Sequence, residues 1–348
     1  MRILGIETSC DETSAAVVEG EVAAPQLRSL VILSQDVHAL FGGVVPEIAS
    51  RAHLTGIVPT VNAALRDAGV SLDDIDGIAV THAPGLVGAL LVGVSYAKAL
   101  GFARNIPVIP VHHLEGHLFA TLLENSDATP PFTALLVSGG HTLLLDVPEW
   151  GRYQLLGQTR DDAAGEAFDK VAKLFGLPYP GGRPLEELAQ TVSASAYRFA
   201  RPMVRSSSVP GDADYYDLSF SGLKTAVLTA VRAIQADGGD VAQERAALAL
   251  AFQDSMIDTL VEKTERAARN FKRKRIVIGG GVSCNSALQA AMRARFTARG
   301  ATVYAPSPRL ATDNAAMIAA AGMFRMSVGD RASLGLTAQA TLPIPGVF

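Results

Sequence analysis

The stretch RILGIETSCDETSAAVVE, residues 2–19, contains the first strand-turn-strand pattern of the chain. Residues 2–8 predict a strand, the polar segment 9–13 a turn, and residues 14–19 a returning strand. A second hairpin is predicted at FTALLVSGGHTLLLDV, residues 132–147, where Gly139 and Gly140 would supply the positive φ angles of a tight turn. Helical patterns follow each hairpin, and this recurrence predicts two related lobes.

Short apolar runs alternate with longer helical segments through the rest of the chain. Strands are predicted at 75–80, 106–111, 275–278 and 302–305. Helices are predicted at 49–68, 85–103, 163–175 and 246–270, and from about 285 and 312. Strands that alternate with helices, together with two antiparallel hairpins, indicate an α/β architecture.

Length and composition predict a packed protein with room for two domains. The chain has 348 residues, of which 49% are hydrophobic and 18% charged. Its two cysteines, Cys10 and Cys284, are far apart, which fits a reducing cytoplasm. No signal peptide is expected, and the glycine-punctuated run 85–103 predicts a buried helix and no membrane span. The net charge of −4 gives no global sign of nucleic-acid binding.

The pentapeptide HLEGH, residues 113–117, places two imidazoles on one face of a predicted helix. That spacing suits one divalent ion, although two histidines without an ion would show it equally. A zincin protease carries its glutamate directly after the first histidine. Glu115 instead lies about 200° around the helix from His113, so it is predicted to point away from the metal face.

A two-histidine site needs at least one more ligand, and Asp313 is the best local candidate. Thr312 is suited to cap the apolar helix that follows, which would place Asp313 in its first turn. Acidic residues are also favoured at helix N-termini for electrostatic reasons alone. On the residues alone, that structural role is the favoured interpretation.

Two glycine-rich segments, Ser138–Gly140 and Gly279–Gly281, are predicted at turns where backbone N–H groups can face a phosphate. Neither is a P-loop, and Cys284 replaces the last glycine of a dinucleotide-binding pattern. Each alone is more often a simple turn. Together with the hairpin tip at 8–13, they favour a nucleotide cleft.

Three charged segments have a functional and a structural interpretation. The acids of the helix at 163–175 form a stripe that a solvated face explains. The run Lys272–Arg275 and the cluster Arg198, Arg201 and Arg205 would suit RNA phosphates, or would simply be solvated.

In this order, the segments resemble the universal tRNA threonylcarbamoyladenosine transferase family, whose members were formerly described as O-sialoglycoprotein endopeptidases. The resemblance covers essentially the whole chain. The matching segments are GIETSCDETS (5–14), GGVVPEIASR (42–51), PGLVGALLVG (84–93), VHHLEGHL (111–118), LLVSGGHT (135–142), DDAAGEAFDKVAKLFGLPYPGG (161–182), SFSGLKT (219–225), GGGVSCN (279–285) and ATDNAAMIA (311–319).

The resemblance implies the fold of actin, Hsp70 and sugar kinases, with two RNase H-like lobes around a nucleotide cleft. Residues 1–110 and 306–348 would form the N-terminal lobe. Residues 111–305 would form the C-terminal lobe, with the histidine helix at the interface.

The resemblance also implies the site residues. A divalent metal, Fe²⁺ in preference to Zn²⁺, would be bound by His113, His117 and Asp313. Asp11 would take part in catalysis by assisting deprotonation of the attacking amine. At Glu186 some relatives have an aspartate that contacts the ligand, and the longer side chain leaves that contact open. The adenylate of the donor would be held by Leu136, Val137, Ser138, Gly139, Gly140, Asp169, Gly182 and Asn285.

The implied reaction moves a threonylcarbamoyl group from threonylcarbamoyl-AMP to the exocyclic amine of the adenosine next to the anticodon. The tRNAs concerned read codons that start with A. Implied partners are tRNA, a non-catalytic paralogue and a small ATPase, with no membrane. The alternative functions are a metallopeptidase and a non-catalytic ATP-binding scaffold of the same fold.

Overall fold

The structure is a computed structural model that describes residues 1–205 and 207–346. The chain divides into two compact units, and each contains one five-stranded sheet. Unit 1 comprises Met1–Thr129, Trp150–Tyr153 and the described residues from Pro306 onward. Unit 2 comprises Pro130–Glu149 and Gln154–Ala305. The predicted α/β class is confirmed.

The strands are β1 (Arg2–Glu7), β2 (Glu12–Glu21), β3 (Ala24–Ser34), β4 (Gly77–Ala83), β5 (Val108–His112), β6 (Phe132–Val137), β7 (Thr142–Glu149), β8 (Arg152–Gln158), β9 (Arg275–Gly279) and β10 (Thr302–Tyr304). The helices are α1 (Pro46–Ala68), α2 (Val87–Arg104), α3 (His113–Ala120), α4 (Ala164–Leu174), α5 (Gly182–Ala189), α6 (Ser221–Ala236), α7 (Val241–Asn270), α8 (Ser286–Thr297), α9 (Pro308–Ala311) and α10 (Ala315–Ser327).

The two sheets share one strand order, which confirms the prediction of two related halves. In unit 1 the order is β3-β2-β1-β4-β5, with β1 antiparallel to β2 and parallel to β4. In unit 2 the order is β8-β7-β6-β9-β10, with β6 antiparallel to β7 and parallel to β9. Each half therefore begins with a hairpin and continues with parallel strands, as helical crossovers require.

Helix α10 lies against the sheet of unit 1 and against α3. Its residues Ala315–Ala321 are all buried, which suits a helix covered on several sides. Gly116 of α3 permits the close approach of the two helices, because a Cβ there would lie 2.8 Å from Ile318 Cδ1. This packing brings the ends of α3 and α10 together.

Several predicted details differ from the structure. The predicted lobe boundary at 110/111 falls inside β5, whose hydrogen bonds to β4 keep it in unit 1, and unit 1 continues to Thr129. Gly139 and Gly140 do not have φ angles between +20° and +160°, so the turn does not depend on left-handed glycine. The turn closes through hydrogen bonds between Ser138 and His141 instead. Strands β3 and β8 and helices α5, α6 and α9 were not predicted.

Among the described residues, one helix, α2, is long and apolar enough to span a membrane by length and composition. The predicted helix at this position is confirmed. One face of it is buried in unit 1, and Leu91 and Phe102 are exposed. The core helices of soluble proteins share this composition.

Candidate metal centre and ligand loops

Helix α3 presents His113 and His117 from one face, as the four-residue spacing predicts. The ring centroids are 4.8 Å apart, and both residues are buried. The Nε2 atoms of His113 and His117 lie 3.3 and 3.4 Å from the same Asp313 carboxylate oxygen, Oδ1. Three side chains from two separate parts of the chain therefore meet at one point in unit 1.

Asp313 reaches this point from the loop between α9 and α10, outside the helix. The predicted cap, Thr312, is wrong, because Asn314 caps α10 by accepting a hydrogen bond from Met317 N at 3.1 Å. Asn314 also donates to the carbonyl oxygens of Leu310 and Thr312, at 3.0 and 2.7 Å. The buried asparagine thus fixes the loop that carries Asp313 and leaves the carboxylate free to face the imidazoles.

The cluster fits a divalent metal ion. One ligand atom from each of His113, His117 and Asp313 lies within 4.8 Å of the others. Both ring nitrogens of His117 are buried and make no hydrogen bond within the described chain. An ion bound to Nε2, the nitrogen that faces Asp313, would compensate for one of them. Two imidazoles and one carboxylate suit both zinc and iron, so the donor set does not select between them.

Charge within the cluster shifts its ionisation. Burial alone would raise the pKa of Asp313, but His113 and then His117 outweigh it and hold that pKa below its ordinary value. Burial lowers the pKa of His117. Burial also disfavours the charged form of His113, but the carboxylates of Asp313 and Glu7 raise its pKa well above 6.5.

Metal binding is therefore expected to release one proton at neutral pH, because His113 is protonated in the metal-free protein and must lose its Nε2 proton to a metal. The affinity should fall about tenfold for each pH unit below neutrality, since the proton competes for the same atom. Titration calorimetry of Zn²⁺ in buffers of different ionisation enthalpy measures the release. Binding without proton release between pH 6 and 7 would contradict this expectation.

Glu115 points away from the cluster, as predicted. It is fully buried and accepts two hydrogen bonds from Arg325 of α10, at 2.7 and 2.8 Å. It also accepts one from the Tyr153 hydroxyl, at 2.5 Å. Its oxygens are thus committed to a buried ion pair, and the arrangement of a zincin protease is absent.

The tip of the first hairpin adjoins Asp313. Burial raises the pKa of Glu12 to about 10, and the charges of Asp313 and Asp11 contribute in the same direction. Burial, Asp11 and Asp313 likewise raise the pKa of Cys10. The sequence singled out Asp11 here, whereas the structure adds Glu12 as a carboxyl group that holds its proton.

Glu7 was not predicted as a site residue, yet it contacts His113. Its Oε2 lies 3.2 Å from His113 Nδ1, and the side chain is fully buried at the end of β1. An acidic residue at the end of an otherwise apolar strand was the available signal.

The loop Ser138–Gly140 follows β6 in unit 2 and lies against the start of α4. Gly165 N donates to Ser138 O at 3.1 Å, and Ala164 N to Thr142 Oγ1 at 2.9 Å. The side chains of Leu136 and Val137 are buried in the sheet, so only their backbone groups are available to a ligand.

Gly165→Ala is expected to displace the loop and weaken adenylate binding. The added Cβ would lie 2.7 Å from Ser138 O and 2.9 Å from Gly139 N, and backbone atoms cannot move aside as side chains do. Overpacking of this kind costs about 1–3 kcal/mol. Calorimetry with AMP measures the loss of affinity.

Gly222→Ala is the matched control, because a Cβ there meets no atom within 4 Å. A Gly165→Ala protein that binds AMP as tightly as the Gly222→Ala protein would show that the loop is not part of the adenylate site.

The other predicted ligand residues of unit 2 include three side chains that accept hydrogen bonds from the backbone. Asp169 accepts from Gly181 N at 2.7 Å, beside Gly182, and burial raises its pKa. Asn285 caps α8 by accepting from Leu288 N at 2.9 Å. Glu186 accepts from Ser286 N at 2.7 Å, so one of its oxygens is already engaged by the protein.

The basic run Lys272–Arg275 lies away from the ligand loops of unit 2. Lys272–Lys274 precede β9 and Arg275 is its first residue, whereas Gly279–Gly281 lies at the other end of that strand. Arg273 is paired with Asp146 at 2.6 Å. Of the second cluster, Arg205 is held through its carbonyl oxygen by buried Arg266. The position of Lys272–Arg275 and the pair of Arg273 with Asp146 favour the structural interpretation of that run.

The sequence of the chain is also similar to that of proteins with a known function. The family described as TsaD, tRNA N6-adenosine threonylcarbamoyltransferase, matches residues 26–320. The chain belongs to this family. A relative from Gemmatimonas aurantiaca with the same description is 70% identical over 352 aligned residues, which cover 100% of this chain and 98% of the relative. The predicted family is therefore confirmed.

Solved structures show the fold of this transferase family member. Thermococcus kodakarensis HypF has a TM-score of 0.61 at 13% identity, covering 94% of this chain and 48% of HypF. Component A of (R)-2-hydroxyglutaryl-CoA dehydratase from Acidaminococcus fermentans has a TM-score of 0.53 at 13% identity, with 94% and 99% covered. Identities this low show the fold alone, which is the predicted actin, Hsp70 and sugar-kinase type.

Proposed function

We propose that this protein transfers the threonylcarbamoyl group of threonylcarbamoyl-AMP to the exocyclic amine of the adenosine next to the anticodon, in tRNAs that read codons starting with A. Membership of the tRNA N6-adenosine threonylcarbamoyltransferase family over the whole chain carries the proposal. The convergence of His113, His117 and Asp313 on one point supports it.

The proposed cofactor is one divalent metal per subunit, with Fe²⁺ favoured over Zn²⁺. His113, His117 and Asp313 would hold it. A metal bound there would supply a Lewis acid for the oxygens of the donor. The surrounding residues keep bulk water from the ligand atoms of the two histidines, since both side chains are buried.

The adenylate of the donor is proposed to bind to unit 2. The backbone N–H groups of Ser138, Gly139 and Gly140 would bind its phosphate, with Leu136 and Val137 contributing only backbone atoms. Asp169, Gly182 and Asn285, which belong to the same unit, would hold the nucleoside. Exposure of both glycines supports this role.

Asp11 is proposed to accept the proton of the attacking amine. Its place at the tip of the first hairpin, next to the carboxyl group of Glu12, supports this role. Glu12, with its raised pKa, would keep its proton at neutral pH and act as a hydrogen-bond donor.

Neither alternative function has a supporting observation. A metallopeptidase of the zincin type needs a glutamate beside the metal, and Glu115 is bound to Arg325 instead. A non-catalytic scaffold would not need the buried three-residue cluster.

We further propose that the enzyme works in the cytoplasm with a non-catalytic paralogue and a small ATPase. Exposed apolar side chains on two helices that pack together offer a surface for such a partner: Leu54 and Val58 of α1, and Val87 and Leu91 of α2. The net charge of this chain is −4, so it attracts the phosphates of tRNA little by itself, and a partner that adds contacts to the RNA would raise the affinity for tRNA.

The deciding experiment combines purified protein, synthetic threonylcarbamoyl-AMP and unmodified tRNA, with and without the partner proteins. Mass spectrometry of the digested tRNA is expected to show threonylcarbamoyladenosine. Absence of the modified nucleoside with all partners present would refute the transferase proposal. Cleavage of a glycoprotein substrate by the same preparation would favour the peptidase.

A further inference from the structure

Glu7 is a fully buried carboxylate that contacts one of the proposed metal ligands, His113. It is fully buried at the end of β1, where an ionised group must be compensated. Its Oε1 accepts a hydrogen bond from Ser9 N at 2.5 Å, and its Oε2 accepts one from the Thr81 hydroxyl at 2.6 Å. No lysine or arginine pairs with it among the described residues. The imidazole ring of His113 is in contact with it.

The contact with His113 is made through the nitrogen that faces away from the cluster. Glu7 Oε2 and Ser9 Oγ each lie 3.2 Å from His113 Nδ1, while Nε2 lies 3.3 Å from Asp313 Oδ1. An ionised oxygen cannot lie against an unprotonated nitrogen without repulsion, so Nδ1 carries a proton and donates it to Glu7. Without a metal, Nε2 faces the Asp313 carboxylate and is protonated as well. When a metal displaces the Nε2 proton, Nδ1 keeps its own proton for Glu7 and Nε2 supplies the lone pair that the metal needs.

We propose that Glu7 is a positioning residue for the metal centre: it fixes the tautomer and ring orientation of His113, so that Nε2 faces Asp313 and His117. The inference rests on the metal centre of the proposed function and adds a residue outside the three ligands. Carboxylates that accept the second N–H of a ligating histidine act in this way in metal sites generally.

The surroundings of Glu7 make the arrangement rigid. Ser9 N is a backbone donor and cannot change its role, so the oxygen that faces it must remain an acceptor. Thr81 lies on β4, the parallel neighbour of β1, and its side chain is fully buried. Two strands therefore hold the carboxylate from which His113 takes its orientation. His117 has no such partner, because its Nδ1 is unpaired within the described chain.

Glu7→Gln tests the inference with almost no change of volume. The amide oxygen must turn toward Ser9 N, which leaves the amide NH₂ facing His113 Nδ1. Nδ1 then becomes an acceptor, and the proton moves to Nε2, where it blocks the metal. The Zn²⁺ dissociation constant, measured by competition with a chromophoric chelator, is expected to rise about 10–100-fold.

Glu115→Gln is the matched control. Glu115 is equally buried, but the hydrogen bonds of its side chain go to Tyr153 and Arg325 and not to a metal ligand of the described chain. If loss of a buried charge merely loosened unit 1, both variants would lose zinc affinity alike. The inference requires the loss in Glu7→Gln alone, with both variants shown to be folded by circular dichroism. Wild-type zinc affinity in folded Glu7→Gln would overturn it.

The wild-type protein provides a test that does not depend on a variant that folds. ¹⁵N-histidine NMR of the zinc-loaded protein, which has 7 histidines, reports which ring nitrogen carries the proton. The expected result is a protonated Nδ1 and a zinc-bound Nε2 at His113, and the reverse assignment would overturn the inference. Failure of the wild type to bind zinc or iron would instead refute the proposed metal centre itself, so the two failures are distinguishable.

Discussion

Asp313→Ala is expected to abolish metal binding at micromolar metal and to abolish threonylcarbamoyl transfer, while the protein stays folded. Asp313 supplies the only carboxylate of the cluster, and the oxygen it presents lies within 3.4 Å of both imidazoles. Without it, two neutral ligands would have to hold a dication in a buried site. The loss of affinity should exceed the roughly 10–100-fold that follows loss of an outer partner of a ligand.

The fold should tolerate this change because Asp313 lies in a loop and its side chain is 25% exposed. The cap of α10 depends on Asn314 and is retained. Metal content by mass spectrometry, zinc affinity and transfer activity are measured together with thermal unfolding. Asp67→Ala is the control, an exposed aspartate of α1 that pairs with Arg66. Unchanged metal stoichiometry in Asp313→Ala would refute the ligand assignment.

The histidine pair was predictable from the sequence because its geometry is local. A helical period of 3.6 residues fixes both the shared face of His113 and His117 and the opposite direction of Glu115. The convergence of Asp313 with that pair joins residues about 200 positions apart, and residue spacing carries no information about such a contact. From the residues alone, a helix-terminal acid was therefore the favoured interpretation of Asp313.

Other features escaped prediction for related reasons. Thr312 and Asn314 are both good caps by residue type, and only the loop conformation selects Asn314. The apolar pattern of the first strand predicts that Glu7 is buried. It does not reveal that His113 is the partner that compensates for the buried carboxylate. The partners of Glu115 are Arg325 and Tyr153, which are separated from it in the sequence, so residue spacing could not predict these contacts either.

Glu115→Ala is expected to destabilise unit 1 strongly while leaving the metal ligands in place. The change removes the main partner of the Arg325 guanidinium, whose side chain is only 14% exposed and which keeps an ion pair with Asp330 at 3.3 Å. Breaking a buried pair from one side costs about 3–5 kcal/mol, and the contact with Asp330 places the expected loss at the lower end of that range. The Tyr153 hydroxyl loses its acceptor at the same time.

The single tryptophan makes the effect of Glu115→Ala measurable in the unit concerned. Trp150 belongs to unit 1 and stacks on Phe119 of α3, with ring centroids 4.0 Å apart. Urea unfolding followed by its fluorescence should show a lower midpoint. Removing both charges, in Glu115→Met with Arg325→Met, should recover much of the loss, because an apolar pair leaves no unpaired charge.

The folded fraction of Glu115→Ala should still bind one metal. A variant with wild-type stability that had lost its metal or its activity would instead place Glu115 in the chemistry.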